Sequence, residues 1–157
     1  MLDSFSECIM LDYDNPWLYE GKPFTSDDIQ DNYGFVYCLT DSVTTKKYIG
    51  RKYFWSVRTV KKIKNRRKKN RSESDWKDYY GSSKTVLEIV EKFGKERFTR
   101  EIVSLHKTKG DVNYNEVKLQ FKLDVLEAVD QFGERAYFNE NIANRYFYRN
   151  RKEGKEK

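Results

Sequence analysis

The sequence predicts a single α+β domain, a small three-stranded antiparallel sheet flanked by helices. Three features predict it. Two β-rich runs, FVYCLT (35–40) and KKYIG (46–50), bracket a polar turn, as an antiparallel hairpin requires. Two stretches, 82–94 and 113–129, carry apolar residues at helical spacing, and a strand-like run, RFTREIVSL (97–105), lies between them.

Taken in order, residues 1–32 are acidic, turn-rich and aromatic, and hold both prolines of the chain. Phe5, Tyr13, Trp17, Tyr19 and Phe24 suit an arm packed on the domain rather than a second domain. The domain itself is expected over 33–148 and opens with the Tyr33–Gly50 hairpin. YFWSVRTVKKI (53–63) is expected as a helix, against its aromatic and β-branched content. KNRRKKNRSESD (64–75) has no apolar face, so that 59–75 reads as an exposed basic loop or frayed helix end. In SSKTVLEIVEKFG a serine caps a short helix, Val86, Ile89 or Val90, and Phe93 form its face, and Gly94 stops it. In the last helix Val117, Phe121 and Val125 lie beside Leu119, Leu123 and Leu126, two rows that predict deep burial. The tail RNRKEGKEK (149–157) is too charged to hold a core and is expected to be disordered.

Composition narrows the function. Of 157 residues, 16% are aromatic and 36% charged, which describes a small aromatic core under a charged surface. The net charge of +6 and a pI of 9.1 favour polyanionic partners, nucleic acid first. Two cysteines, Cys8 and Cys38, and one histidine, His106, supply neither a disulfide framework nor metal-ligand spacing for zinc. With no membrane-length apolar run and no basic signal start, a cytoplasmic protein with reduced thiols is expected.

The hairpin poses the chemical question. Tyr37 stands eleven residues before Tyr48, and Ile49-Gly50 is followed at once by Arg51 and Lys52. The segment resembles the GIY-YIG nuclease family, in which two signature tripeptides lie at about this distance. FVY (35–37) stands where the first tripeptide would be, with its glycine displaced to Gly34, and YIG (48–50) is intact. The resemblance continues through Arg58, through YYGSSKTVLEIVEKFGKERFTREIV (79–103), Glu116 in NYNEVKLQF, and YFNENIANR (137–145), covering residues 33–145.

The resemblance implies a GIY-YIG-like fold and a phage-type or homing-endonuclease-like enzyme that hydrolyses DNA phosphodiesters. It implies Arg58 as the catalytic arginine of a first helix and Glu116 as ligand of Mg²⁺ or Mn²⁺. The late site asparagine falls on either Asn139 or Asn141, and Tyr37 and Tyr48 are the phenols offered to the attacking water. A hard cation needs oxygen ligands and keeps several waters, so one carboxylate plus a substrate phosphate suffices. A guanidinium adds a fixed positive fork on phosphate oxygens. A free phenol, with a pKa of about 10, needs a neighbouring positive charge to serve as a base near neutral pH.

Each residue also has a plainer reading. The tyrosines suit a cross-strand core pair, Glu116 the third position of a capping box begun by Asn113, Arg58 a surface charge and the asparagines turns. A binding module of the same fold without activity is the alternative for the whole chain.

RTVKKIKNRRKKNR (58–71) contains no acid. Arg51, Lys52, Lys61, Lys62, Lys64, Arg66, Arg67, Lys68, Lys69 and Arg71 are the expected phosphate contacts. Neutralising five phosphates would give a log K against log salt slope of about −4 to −5 without reading sequence. Trp55, Trp76, Tyr79 and Tyr80 flank the run and suit either base stacking or core packing. No base-reading motif is present, so the target would be found by shape, by dimerisation on DNA or through a partner.

Overall fold

The computed structural model describes residues 11–63 and 66–148, with backbone alone for 60–63 and 66–69. The elements run β1 (Leu18–Tyr19), β2 (Lys22–Pro23), β3 (Gly34–Asp41), β4 (Lys47–Tyr53), β5 (Trp55–Ile63), β6 (Arg66–Glu73), α1 (Lys84–Phe93), β7 (Phe98–His106), α2 (Lys109–Lys122), β8 (Asn141–Ile142) and β9 (Tyr146–Phe147). Phe5, Cys8, Lys64 and the tail 149–157 lie outside the described residues.

The main sheet has five strands in the order β2-β1-β7-β3-β4 and is mixed, because β1 runs parallel to β7. The three expected strands form its centre and one edge. The extra two come from the N-terminal segment, whose two-residue strands are too short to leave a sequence pattern. The β3–β4 register sets Tyr37 opposite Gly50 and Leu39 opposite Tyr48, while β7 covers the other side of β3.

Alternation gives the sheet two apolar faces. Phe35, Tyr37 and Leu39 join Trp17, Phe24, Phe54, Trp76 and Val86 in one core. Val36, Cys38 and Ile49 meet Val125 and Ile142 on the other, with Val117, Leu119, Leu123 and Leu126 against them. The sheet is thus covered by α1 and the arm residues on one face and by α2 on the other.

The helix expected over 53–63 is not there: this segment is β5, paired antiparallel with β6 in a two-stranded ribbon. β6 also replaces the loop expected at 59–75. Val57, Thr59, Val60 and Ile63 lose side-chain freedom in a helix, and stacked like charges four residues apart repel there, whereas a ribbon spreads both.

Helix α1 matches its expected limits. Ser83 Oγ accepts the Val86 N–H, and Gly94, at φ +96, ends it. Phe93 is not on its buried face but 57% exposed. Helix α2 starts earlier than expected. Thr108 is its N-cap, accepting the Asp111 N–H, so Asn113 caps nothing there. Phe121, expected in the core, is 52% exposed. The buried row of α2 is Val112, Glu116 and Gln120, a partly polar stripe, which a count of apolar spacing does not detect.

The arm is held by a buried arginine. Arg100 Nε and Nη2 donate to the Asn15 carbonyl at 3.0 and 2.5 Å, and Nη1 donates to the Tyr79 carbonyl at 3.0 Å. Its guanidinium lies 4.7 Å from the Trp17 ring centroid and 4.3 Å from that of Tyr80. Among the described residues no helix is long and apolar enough to cross a membrane.

Candidate active site

β4 is an edge strand, and its edge is covered only in part. The chain at 136–138 pairs with Lys47 through Lys47 N–H to Ala136 O (3.0 Å) and Phe138 N–H to Lys47 O (2.7 Å). One step on, a side chain takes over the role of a strand. Asn139 Oδ1 accepts the Ile49 N–H at 3.0 Å and its Nδ2 donates to Ile49 O at 2.8 Å, with Gln120 Nε2 donating to the same carbonyl at 3.0 Å. Beyond Ile49 a cleft of about 860 Å³ opens, lined by Tyr37, Tyr48, Arg58, Glu116, Asn139 and Asn141 among others. All six sequence-derived candidates therefore border one space. They reach it from opposite faces of the sheet: Tyr37 and Tyr48 lie on the α1 side, and Glu116 comes from α2 around the β4 edge.

Tyr37 is 1% exposed. A Cβ on Gly50 would collide with its ring and hydroxyl and come 3.0 Å from Tyr48 Cε1. A Cβ on Gly81, which sits at φ +82, would stand 3.1 Å from the same hydroxyl. Two glycines thus make the slot in which this phenol lies, which explains the YIG glycine as a matter of space. Burial pushes the Tyr37 phenol well above its ordinary pKa, and the neighbouring Tyr79 and Tyr48 push the same way. Tyr48 is also raised by burial, opposed by its hydroxyl contact with Ser82 Oγ at 3.2 Å. Tyr79, half-buried and edge-on to Tyr37 at 6.0 Å between ring centroids, is raised by burial and pulled the other way by its Tyr37 neighbour. Lys52 Nζ lies 4.1 Å above its ring and bonds Asp75 Oδ1 at 2.5 Å.

Glu116 is 7% exposed and takes Arg51 Nη1 on Oε1 at 2.6 Å. Burial raises its carboxyl above the usual range, and Arg51 works against that shift. Arg51 Nε donates to Tyr53 Oη at 3.2 Å, and Tyr53 in turn donates to Asn113 Oδ1. One turn along α2, Gln120 Oε1 is buried with no hydrogen-bond partner among the described residues.

The remaining candidates divide. Asn139 is spent on the β4 backbone, so it shapes the cleft rather than facing it as a free polar group. Asn141 Oδ1 accepts the Asn144 N–H at 3.1 Å in a turn. Arg58 is an exposed residue of strand β5, not of a first helix. Arg71 lies 4.0 Å over the Trp55 ring, and the backbones of Lys61, Lys62 and Arg66–Lys69 belong to the ribbon. Trp76 and Tyr80 are core, not stacking platforms. His106 bonds Ser104 Oγ at 2.7 Å, away from the cleft residues.

Sequence reasoning missed three cleft-lining neighbours of its candidates: Tyr79, edge-on to Tyr37, Arg51 as the ion-pair partner of Glu116, and Gln120. Spacing offered one signal, since Gln120 follows Glu116 by four residues and so shares its helix face.

The family model described as "Putative endonuclease segE, GIY-YIG domain" matches residues 17–142, most of the chain and all of the cleft-lining candidates. Neither the search of curated proteins nor that of solved structures gave a significant match. The match spans both tyrosines, the YIG glycine and Glu116, and on that ground the chain belongs to the GIY-YIG family of segE-type endonuclease domains.

Proposed function

We propose that the cleft at the β4 edge is the active centre of a divalent-cation-dependent endonuclease that hydrolyses DNA phosphodiester bonds. The observation that carries this reading is the convergence of Tyr48, Arg51, Arg58 and Glu116 on one cleft from both faces of the sheet. Phosphodiester hydrolysis needs positive charge at the non-bridging oxygens, a held water and a route for its proton, and those residue types answer these needs.

The donor set fits Mg²⁺ or Mn²⁺. Glu116 offers a carboxylate, and the unpartnered Gln120 Oε1 offers a neutral hard oxygen on the same helix face. Such an ion is held by one or two protein oxygens, waters and substrate phosphate. With Glu116 and Gln120 as the protein oxygens, substrate phosphate and water would complete the coordination. When bound, the cation neutralises charge developing on the phosphate and the leaving oxygen.

The chain's own residues do the rest. Arg58 on β5 and Arg51 on β4 face the cleft from two sides, where each guanidinium can clamp phosphate oxygens. Tyr48, whose hydroxyl meets Ser82, is the phenol best placed to hold the attacking water. Tyr37, held between Gly50 and Gly81 and only 1% exposed, packs edge-on to Tyr79 and is the less accessible of the two signature phenols.

Supercoiled plasmid incubated with Mg²⁺ or Mn²⁺, with and without EDTA, tests the reading. Wild type nicks it, EDTA stops the nicking, and Glu116→Gln abolishes it while DNA binding persists. Wild-type nicking by Glu116→Gln removes the carboxylate from the site. Binding without nicking in wild type favours a non-catalytic module of the same fold.

A further inference from the structure

The main positive charge of this protein is not spread over its surface. Nine of its 31 Lys and Arg lie between residues 58 and 71, with no acid among them. The rest of the chain, with 22 basic residues against 25 acidic, is net negative. That run is carried by the β5–β6 ribbon, whose register pairs Val57 with Arg71, Arg58 with Asn70, Thr59 with Lys69 and Val60 with Lys68.

The ribbon is firmly based and bare above its base. At the base, Ser74 N–H donates to Phe54 O at 2.7 Å and Ser74 Oγ to Tyr53 O at 2.6 Å. Glu73 Oε1 accepts from Ser26 Oγ at 2.6 Å and from Trp76 Nε1 at 2.7 Å, and Trp55 Nε1 donates to Asn32 O at 3.3 Å. Phe54 and Trp76 beneath it are fully buried. From the next residues on, Val57, Arg58 and Thr59 on β5 and Asn70, Arg71 and Ser72 on β6 are all exposed. Since neighbours along a strand point to opposite faces, both faces of the ribbon are wet over residues 57–59 and 70–72. An isolated two-stranded ribbon is marginal in water, and crowding cations along it makes it less stable still. Such an arm is stabilised by a partner that supplies a dense negative surface from both sides.

We propose that the β5–β6 ribbon is a groove-entering arm: it lies in the major groove of duplex DNA while its base presents Arg58 to the phosphate in the cleft. This deepens the nuclease reading and rests on it for the position of the cleft. Shape selects the groove. Two strands are about 4.8 Å apart, and with side chains they fill a B-form major groove of about 12 Å, which admits a two-stranded ribbon. The deep, narrow major groove of duplex RNA does not admit it, and a single strand offers no groove. The reach follows from strand geometry. From Arg58, at the cleft wall, to Lys62 is four residues, about 13 Å at 3.3 Å per residue. At a 3.4 Å rise per base pair, and with the groove inclined to the duplex axis, that reach spans at most about four base pairs. The arm therefore fixes a contact within about four base pairs to one side of the cut.

Binding measured in EDTA separates this from catalysis. Wild type is titrated with a 30-base-pair DNA duplex, the same-sequence RNA duplex and the single DNA strand. A second protein replaces residues 60–68 by Asn-Gly, the two-residue turn that can close the Thr59–Lys69 pair. Expected are at least tenfold tighter binding of duplex DNA than of either rival, loss of that preference in the shortened protein, and a salt slope shallower by at least three. Dimethyl sulfate footprinting of wild type, which reports guanine N7 in the major groove, should show protection within about four base pairs of the nick, or at one groove position if no nick occurs. Equal affinity for the three nucleic acids, or undiminished guanine N7 reactivity under saturating protein, overturns the proposal even if the shortened protein does not fold. Absence of nicking with duplex preference and N7 protection intact sinks the nuclease reading and leaves the arm standing.

Discussion

Tyr37 and Gly50 face each other across the β3–β4 ladder with no room for a Cβ between them. The phenol of the first signature segment and the glycine of the second are one packing unit. Gly50→Ala must displace either the Tyr37 ring or the edge strand, and overpacking of this kind costs about 1–3 kcal/mol. Chemical denaturation should show that loss, and Tyr37→Phe in the same chain should recover part of it, because the two changes share one clash. Independent, additive effects would contradict the packing argument.

Of the cleft tyrosines, Tyr48 and Tyr79 should respond differently when each is replaced. Burial holds the Tyr48 phenol above its ordinary value, so the fraction able to accept a proton grows as pH rises. Nicking rate in the wild type should climb from neutral into the alkaline range. Tyr48→Phe should flatten that climb and lower turnover by about 10²-fold or more. Tyr79→Phe keeps the edge-on ring contact with Tyr37 and should retain the pH dependence.

Arg58 reaches the cleft from an element outside the main sheet, so its charge can be removed without touching the core. Arg58→Ala should depress turnover by a factor corresponding to about 3 kcal/mol, roughly a hundredfold, while thermal unfolding stays put. Unchanged turnover would take Arg58 out of the site.

The turn between β3 and β4 carries the clearest acid sensitivity. Asp41 is buried and gripped by Arg97 through Nε–Oδ1 at 2.9 Å and Nη2–Oδ2 at 3.0 Å. Burial alone would raise its carboxyl, but the Arg97 fork, the Val43 N–H and the Thr44 hydroxyl outweigh it, and the net shift is downward. A carboxyl lowered on folding stabilises above its unfolded value and gives that stability back as pH falls through the folded one. Unfolding followed between pH 7 and pH 2 should show a loss that Asp41→Asn lacks, and at pH 7 that variant should be less stable than wild type.

The sheet centre and α1 were legible because alternation and capping act locally: FVYCLT and KKYIG alternate sides, and Ser83 and Gly94 mark the ends of a helix. The ribbon was not, because Val57, Val60 and Ile63 recur every three residues and imitate a helical face, while lysines and arginines hide the strand period. β1 and β2 are strands only because β7 offers them a partner. Of the residues that line the cleft, Tyr37, Tyr48 and Glu116 could be picked from motif order. Tyr79, Arg51 and Gln120 could not, since their part depends on how α2 and the 79–82 turn meet the β4 edge. Asn139 was found by position, yet its work, standing in for a strand, is visible only in three dimensions.

Arg100 gives the N-terminal segment a say in chemistry carried out elsewhere. The guanidinium that grasps the Asn15 carbonyl also grasps that of Tyr79, so whatever dislodges the first loosens the second. The family match begins at residue 17, two positions past that grip. A chain started at residue 17 would keep every signature residue and still leave a desolvated cation short of an acceptor beside the phenol network, turning a trim of the terminus into a lesion at the reaction centre.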